Sequence, residues 1–147
     1  MMETIQHVLR EKGDRTVHTI DPQATILEAT RLMNEHSIGA LVVIEGGRIV
    51  GIFTERDVLR RVVACDRNPS HVRIDDVMTT DVACCTPATT VDEARSVMKN
   101  HRIRHLPVID AVGDVRGLIS IGDLNAHLAD AQETTIHYLH EYLHGRV

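Results

Sequence analysis

Twice in its 147 residues the chain sets a hydroxyl and a carboxylate three positions apart, just beyond a glycine in an aliphatic run. The first instance is Gly51-Ile52-Phe53-Thr54-Glu55-Arg56-Asp57 and the second is Gly117-Leu118-Ile119-Ser120-Ile121-Gly122-Asp123. With Thr54 and Ser120 at helix N-caps, a hydroxyl, a carboxylate and free backbone N–H donors converge on one helix start. Such a carboxylate accepts from two vicinal ribose hydroxyls, and the N–H groups and helix dipole favour phosphate. The same spacing satisfies an ordinary capping box, which needs no ligand. Its occurrence at two matching places of the chain strengthens the binding reading and leaves the capping box as its rival.

A second motif points elsewhere. His140-Glu141-Tyr142-Leu143-His144 fits the helical zinc-hydrolase pattern H-E-x-x-H, with His137 on the same helical face as His140. It falls within the last eight residues, and Gly145 ends the helix at once, so neither a metal site nor catalysis is expected there. Ile136, Leu139 and Leu143 are instead expected to pack an amphipathic tail on the domain or on a partner subunit. The three cysteines include the adjacent Cys84 and Cys85, which offer neither a disulfide framework nor a C-x-x-C clamp. Both read as small buried hydrophobes.

The elements that position the paired motifs come from an internal duplication. Shifted by about 65 positions, Val17, Pro22, Thr25, Glu28-Ala29, Met33 and His36 fall on Val82, Pro87, Thr90, Glu93-Ala94, Met98 and His101. Ile38, Leu41 and Val43-Ile44 fall on Ile103, Leu106 and Val108-Ile109. Each copy reads β-α-β-β-α. Thr25 and Thr90 cap helices running to His36 and His101, with Glu28 and Glu93 completing capping boxes. Strands are expected at Ala40–Ile44 and Ile49–Phe53, and at Leu106–Ile109 and Val115–Ile119. The expected organisation is residues 1–65 as the first copy with an N-terminal helix, 66–77 as a connection, and 78–147 as the second copy with a C-terminal helix. Neither copy has enough apolar surface for its own core, so an α/β pair packed with pseudo-twofold symmetry is predicted.

Composition narrows the function. Hydrophobic residues make up 43% and aromatic ones 2%, with no Trp, so the core must be aliphatic. A net charge of −5 and the scarcity of stacking rings argue against a nucleic-acid partner. No apolar run approaches the roughly 20 residues of a membrane span. A cytoplasmic, reducing environment is expected.

The duplicated pattern, with "IGALVVI", "GIFTERD", "VMTTDV", "RIRHLPVID" and "GLISIGDL", resembles a tandem pair of CBS domains, the modules named after cystathionine β-synthase. The resemblance spans roughly residues 5–145 and is greatest to small stand-alone bacterial CBS pairs without a catalytic domain. It implies a non-enzymatic regulatory module whose cleft binds AMP, ADP or ATP, with S-adenosylmethionine or NAD as alternatives. It also implies a homodimer that relays to an unidentified regulated protein. A ligand-free interaction module is the rival reading, and a metal-dependent hydrolase a remote one.

Residue by residue, the resemblance implies that Asp57 and Asp123 hold ribose, while Thr54 and Ser120 contact ribose or phosphate. Thr54 and Asp57 would pair with Arg104, His105 and Pro107, and Ser120 and Asp123 with Ile38, Gly39 and Ala40. Arg104 and His105 would neutralise phosphate. Thr19, Ile20 and Cys85 would line the base pocket. Arg56 is either a phosphate contact or a solvated side chain. No catalytic cofactor is implied.

Overall fold

The structure is a computed structural model that describes residues 3–13 and 17–131. His137, His140 and His144, and most of the expected C-terminal helix, lie outside the described residues. The chain runs α1 (Ile5–Lys12), β1 (Thr19–Ile20), α2 (Ile26–His36), β2 (Ala40–Glu45), β3 (Arg48–Thr54) and α3 (Glu55–Asp57). It continues through a π-wound stretch (Val58–Val63) and a 3-10 turn (Ile74–Asp76) to α4 (Val91–His101), β4 (His105–Ile109), β5 (Val115–Ser120) and α5 (Ile121–Ala131). No described helix is long and apolar enough to cross a membrane.

The duplication is visible in fine detail. Thr25 and Thr90 accept from the backbone N–H groups of Glu28 and Glu93, each at 3.1 Å, and so satisfy a donor that the first turn leaves free. Both helices end in a left-handed residue, Ser37 (φ 54°) and Arg102 (φ 55°). Both hairpins carry a register shift, at Val43/Ile44 and Val108/Ile109. In the first half, β1 adds in parallel to the β2–β3 hairpin. In the second, only Cys85 bridges in parallel to Val108 beside β4–β5. The opening strand of the second β-α-β-β-α copy shrinks to that bridge. The helix expected to start at Thr54 keeps only one α-helical turn before winding into the π stretch.

The two halves exchange their leading segments. Val72, Ile74 and Val77, which precede the second copy, are buried in the first core with Ile26, Leu41 and Phe53. Ile5 and Val8, which precede the first copy, are buried in the second core with Leu106, Ile119 and Leu124. The backbone bonds match one for one. Ile5, Gln6 and Val91 N–H donate to Thr89, Pro87 and Glu3 carbonyls, as Ile74, Asp75 and Ile26 N–H donate to Ala24, Pro22 and Val72 carbonyls. Residues 66–77 are therefore more than a tether: their latter part completes the first core. The N-terminal helix, expected with the first copy, belongs physically to the second. Each half lacks apolar cover on one side of its sheet, and the other half's leading segment supplies it.

Candidate functional site

The exchange brings α1 alongside the start of α5. There, Asp123 Oδ2 accepts from the Ser120 N–H (2.8 Å), and Asp123 N–H donates to Ser120 Oγ (3.1 Å), a reciprocal cap. The same Oδ2 accepts from Lys12 Nζ at 2.9 Å, and Lys12 also donates to the Leu118 carbonyl at 2.6 Å. Asp123 Oδ1 has no hydrogen-bond partner among the described residues, which leaves it as an acceptor.

Ser120 and Asp123 face Ile38, Gly39 and Ala40 across a cavity of about 1050 Å³. The structure therefore brings these five residues to one cavity, drawing from both halves. Val17, Leu9 and Leu118 add aliphatic wall, and Arg10, Lys12 and Arg116 add positive charge. His18 and His36 also line it, their rings stacked with centroids 3.9 Å apart. These imidazoles supply flat surface that a count of Phe, Trp and Tyr does not register.

The matching carboxylate of the first half is differently placed. Asp57 is 8% exposed and lines neither described cavity. Its Oδ2 accepts from the Thr54 N–H at 2.9 Å, and its Oδ1 lies 3.6 Å from Arg61 Nε. Burial is the dominant influence and raises its pKa against the lowering effects of Thr54 and Arg61. A smaller recess of about 610 Å³ opens nearby, but its acid is Glu55 rather than Asp57. The reason is local: the Glu55 N–H donates to the Gly39 carbonyl, and a Cβ on Gly39 would lie 3.3 Å from the Glu55 carboxyl.

His105 borders both cavities. Burial is the main cause of its lowered pKa and disfavours the charged imidazole that neutralising a phosphate would need. Arg104 is exposed and meets the site only through its carbonyl, which accepts from the Ile121 N–H. Pro107 is buried in β4, and like Thr54, Asp57 and Arg104 it lines neither of these two cavities, so of the group expected around Asp57 only His105 borders them. Arg56 is half-buried and lines neither.

Of the expected base-pocket residues, Thr19 is exposed, Ile20 packs against the first core and Cys85 is buried in the second. Their neighbours Val17, His18 and Pro87 line the cavity instead. Burial pushes the Cys85 thiol up to about 12, which makes it an inert core residue. The residues that sequence reasoning missed are Lys12, Arg10 and Arg116. The first two lie on a helix whose docking partner is set by the exchange.

With this geometry in view, the CBS domain family model matches residues 13–64 and 74–130. The chain is similar to a putative signal-transduction protein with CBS domains from Burkholderia ambifaria MC40-6, at 41% identity and a TM-score of 0.84, covering 88% of this chain and 96% of that one. It is 33% identical to the mitochondrial CBS domain-containing protein CBSX3 of Arabidopsis thaliana, over 97% of this chain and 72% of the relative. The CBS domain pair of protein MJ0100, solved with 5′-methylthioadenosine and S-adenosylmethionine, shares the fold at a TM-score of 0.78 and 22% identity, covering 89% of this chain and 99% of that one.

Proposed function

The chain belongs to the CBS domain family, and from that membership we propose that it is a non-catalytic sensor of adenosine-containing nucleotides. CBS pairs are regulatory, ligand-binding modules. The observation that supports a nucleotide here is the meeting of the Ser120–Asp123 helix start with Ile38, Gly39 and Ala40 across one cavity. Asp123 Oδ1, without a hydrogen-bond partner among the described residues, would accept ribose hydroxyls. The α5 N-terminus and the three cations suit phosphate. Aliphatic wall and the stacked imidazoles suit a purine.

AMP, ADP or ATP is the proposed ligand class, bound between the halves so that occupancy shifts their relative orientation. A regulated partner would read that shift from a cytoplasmic homodimer. Leu59 and Val63, 62% and 61% exposed on the π-wound stretch, provide apolar surface for self-association.

Isothermal titration of the full chain with AMP, ADP, ATP, NAD, S-adenosylmethionine and 5′-methylthioadenosine tests the ligand. Micromolar binding of a nucleotide, lost in Asp123→Ala, supports the reading. Absence of binding by every compound overturns it and leaves the ligand-free interaction module.

A further inference from the structure

We propose that Lys12, delivered to the cavity by the N-terminal helix, determines which adenosine compounds the site accepts. This inference rests on the nucleotide reading and goes further: it names the ligand as an adenosine 5′-phosphate and excludes sulfonium and thioether analogues. Lys12 sits between Asp123 and the Leu118 carbonyl, with its side chain 22% and that of Asp123 20% exposed. An ammonium group has three donors. Two are used here, and among the described residues the third has no partner.

The placement has two consequences. Lys12 neutralises the one carboxylate of the cavity wall, so Asp123 offers no net attraction to a cationic ligand. Arg10 and Arg116 then leave the wall positive, with Arg116 only 3.9 Å from Asp110 in an exposed, weak pair. Lys12 also stands beside the carboxylate proposed to bind ribose. The remaining N–H is therefore within the span of a ribose and its 5′-substituent. A phosphate there gains a charge-assisted bond. A sulfonium there meets an ammonium, and a neutral thioether leaves the donor unmet.

The helix is held to this task by packing. Ile5 and Val8 are buried in the second core, and Leu9 lies so close to Gly117 that a Cβ there would come within 2.7 Å of it. Lys12 thus arrives on a fixed support, and the cavity is incomplete without α1.

The test titrates AMP, 5′-methylthioadenosine and S-adenosylmethionine into the full-length wild type, Lys12→Met and Lys12→Arg. Wild type is expected to bind AMP at least tenfold tighter than either analogue. Lys12→Met, which keeps the buried stem, should shrink that preference about tenfold, and Lys12→Arg should retain most of it. Raising salt on the wild type should narrow the preference for AMP over the neutral thioether, a readout that needs no variant. A preference unchanged in Lys12→Met or insensitive to salt overturns the role of Lys12 while leaving nucleotide binding intact. Failure of all three compounds, and of ADP and ATP, to bind wild type overturns the nucleotide reading itself.

Discussion

Lys12 Nζ lies 2.9 Å from Asp123 Oδ2 across 111 positions of sequence, joining the helix that precedes the first half to the helix start that closes the second. The contact exists because the two halves trade their leading segments. It makes α1 part of the cavity wall rather than an appendage, and it gives the two duplicated carboxylates different surroundings.

That difference predicts unequal effects on binding. Asp123→Ala should weaken nucleotide affinity at least tenfold, whereas Asp57→Asn should change it less than threefold. Calorimetric titration of both variants checks this, and equal losses would mean that both carboxylates serve ligand.

Asp57 should reveal itself through pH. Its folded-state pKa is raised by burial, so its contribution to stability is fully present below the ordinary value of 3.8 and is lost as pH rises through the folded value. Asn keeps the acceptor for the Thr54 N–H and removes the buried charge. Denaturant melts should therefore show Asp57→Asn becoming more favourable relative to wild type between about pH 3 and neutrality. A difference independent of pH would contradict this.

The clamp on α1 has the opposite chemistry but the same sign. His127 Nδ1 meets Glu11 at 2.7 Å and Nε2 meets Glu3 at 3.4 Å, and the Glu11 hydrogen bond is the main cause of its raised pKa. Its contribution is fully present below the ordinary histidine value of about 6.5 and is lost as pH rises through the raised value. His127→Gln should remove that slope from the stability profile, and amide exchange of α1 should quicken in wild type as the pH is raised through that range, beyond the intrinsic pH effect.

The exchanged segments should behave as core. Ile5→Ala and Ile74→Ala each empty a fully buried position and should cost about 2–5 kcal/mol. Thermal or urea unfolding measures this. A loss below about 1 kcal/mol at Ile74 would mark residues 72–78 as a mere connector.

The glycine preceding each motif should respond unequally to alanine. At Gly51 a Cβ would lie 2.9 Å from the Thr79 carbonyl and 2.5 Å from Met78 Sδ, whereas at Gly117 the obstacle is a Leu9 methyl at 2.7 Å. Backbone cannot turn aside as a side-chain end can. Gly51→Ala should cost about 1–3 kcal/mol and Gly117→Ala less, as unfolding midpoints will show.

The sequence by itself determined what depends on neighbours along the chain. The shift of about 65 residues revealed both capped helices, both hairpins and both [Ser/Thr]-x-x-Asp starts, because caps and turns are set by bonds three or four residues apart. The repeats also singled out Ser120 and Asp123, whereas Ile38, Gly39 and Ala40 entered through the resemblance to CBS pairs. Only the tertiary structure decided that Ile5-x-x-Val8 and Ile74-x-x-Val77 are equivalents, each serving the half it does not lead. Two apolar residues per segment are too little signal to declare a partner, and the choice depends on which side each sheet leaves uncovered. From that choice follows the arrival of Lys12 at Asp123, which has no counterpart among the described partners of Asp57. Identical local patterns acquired different chemistry because different segments were laid against them.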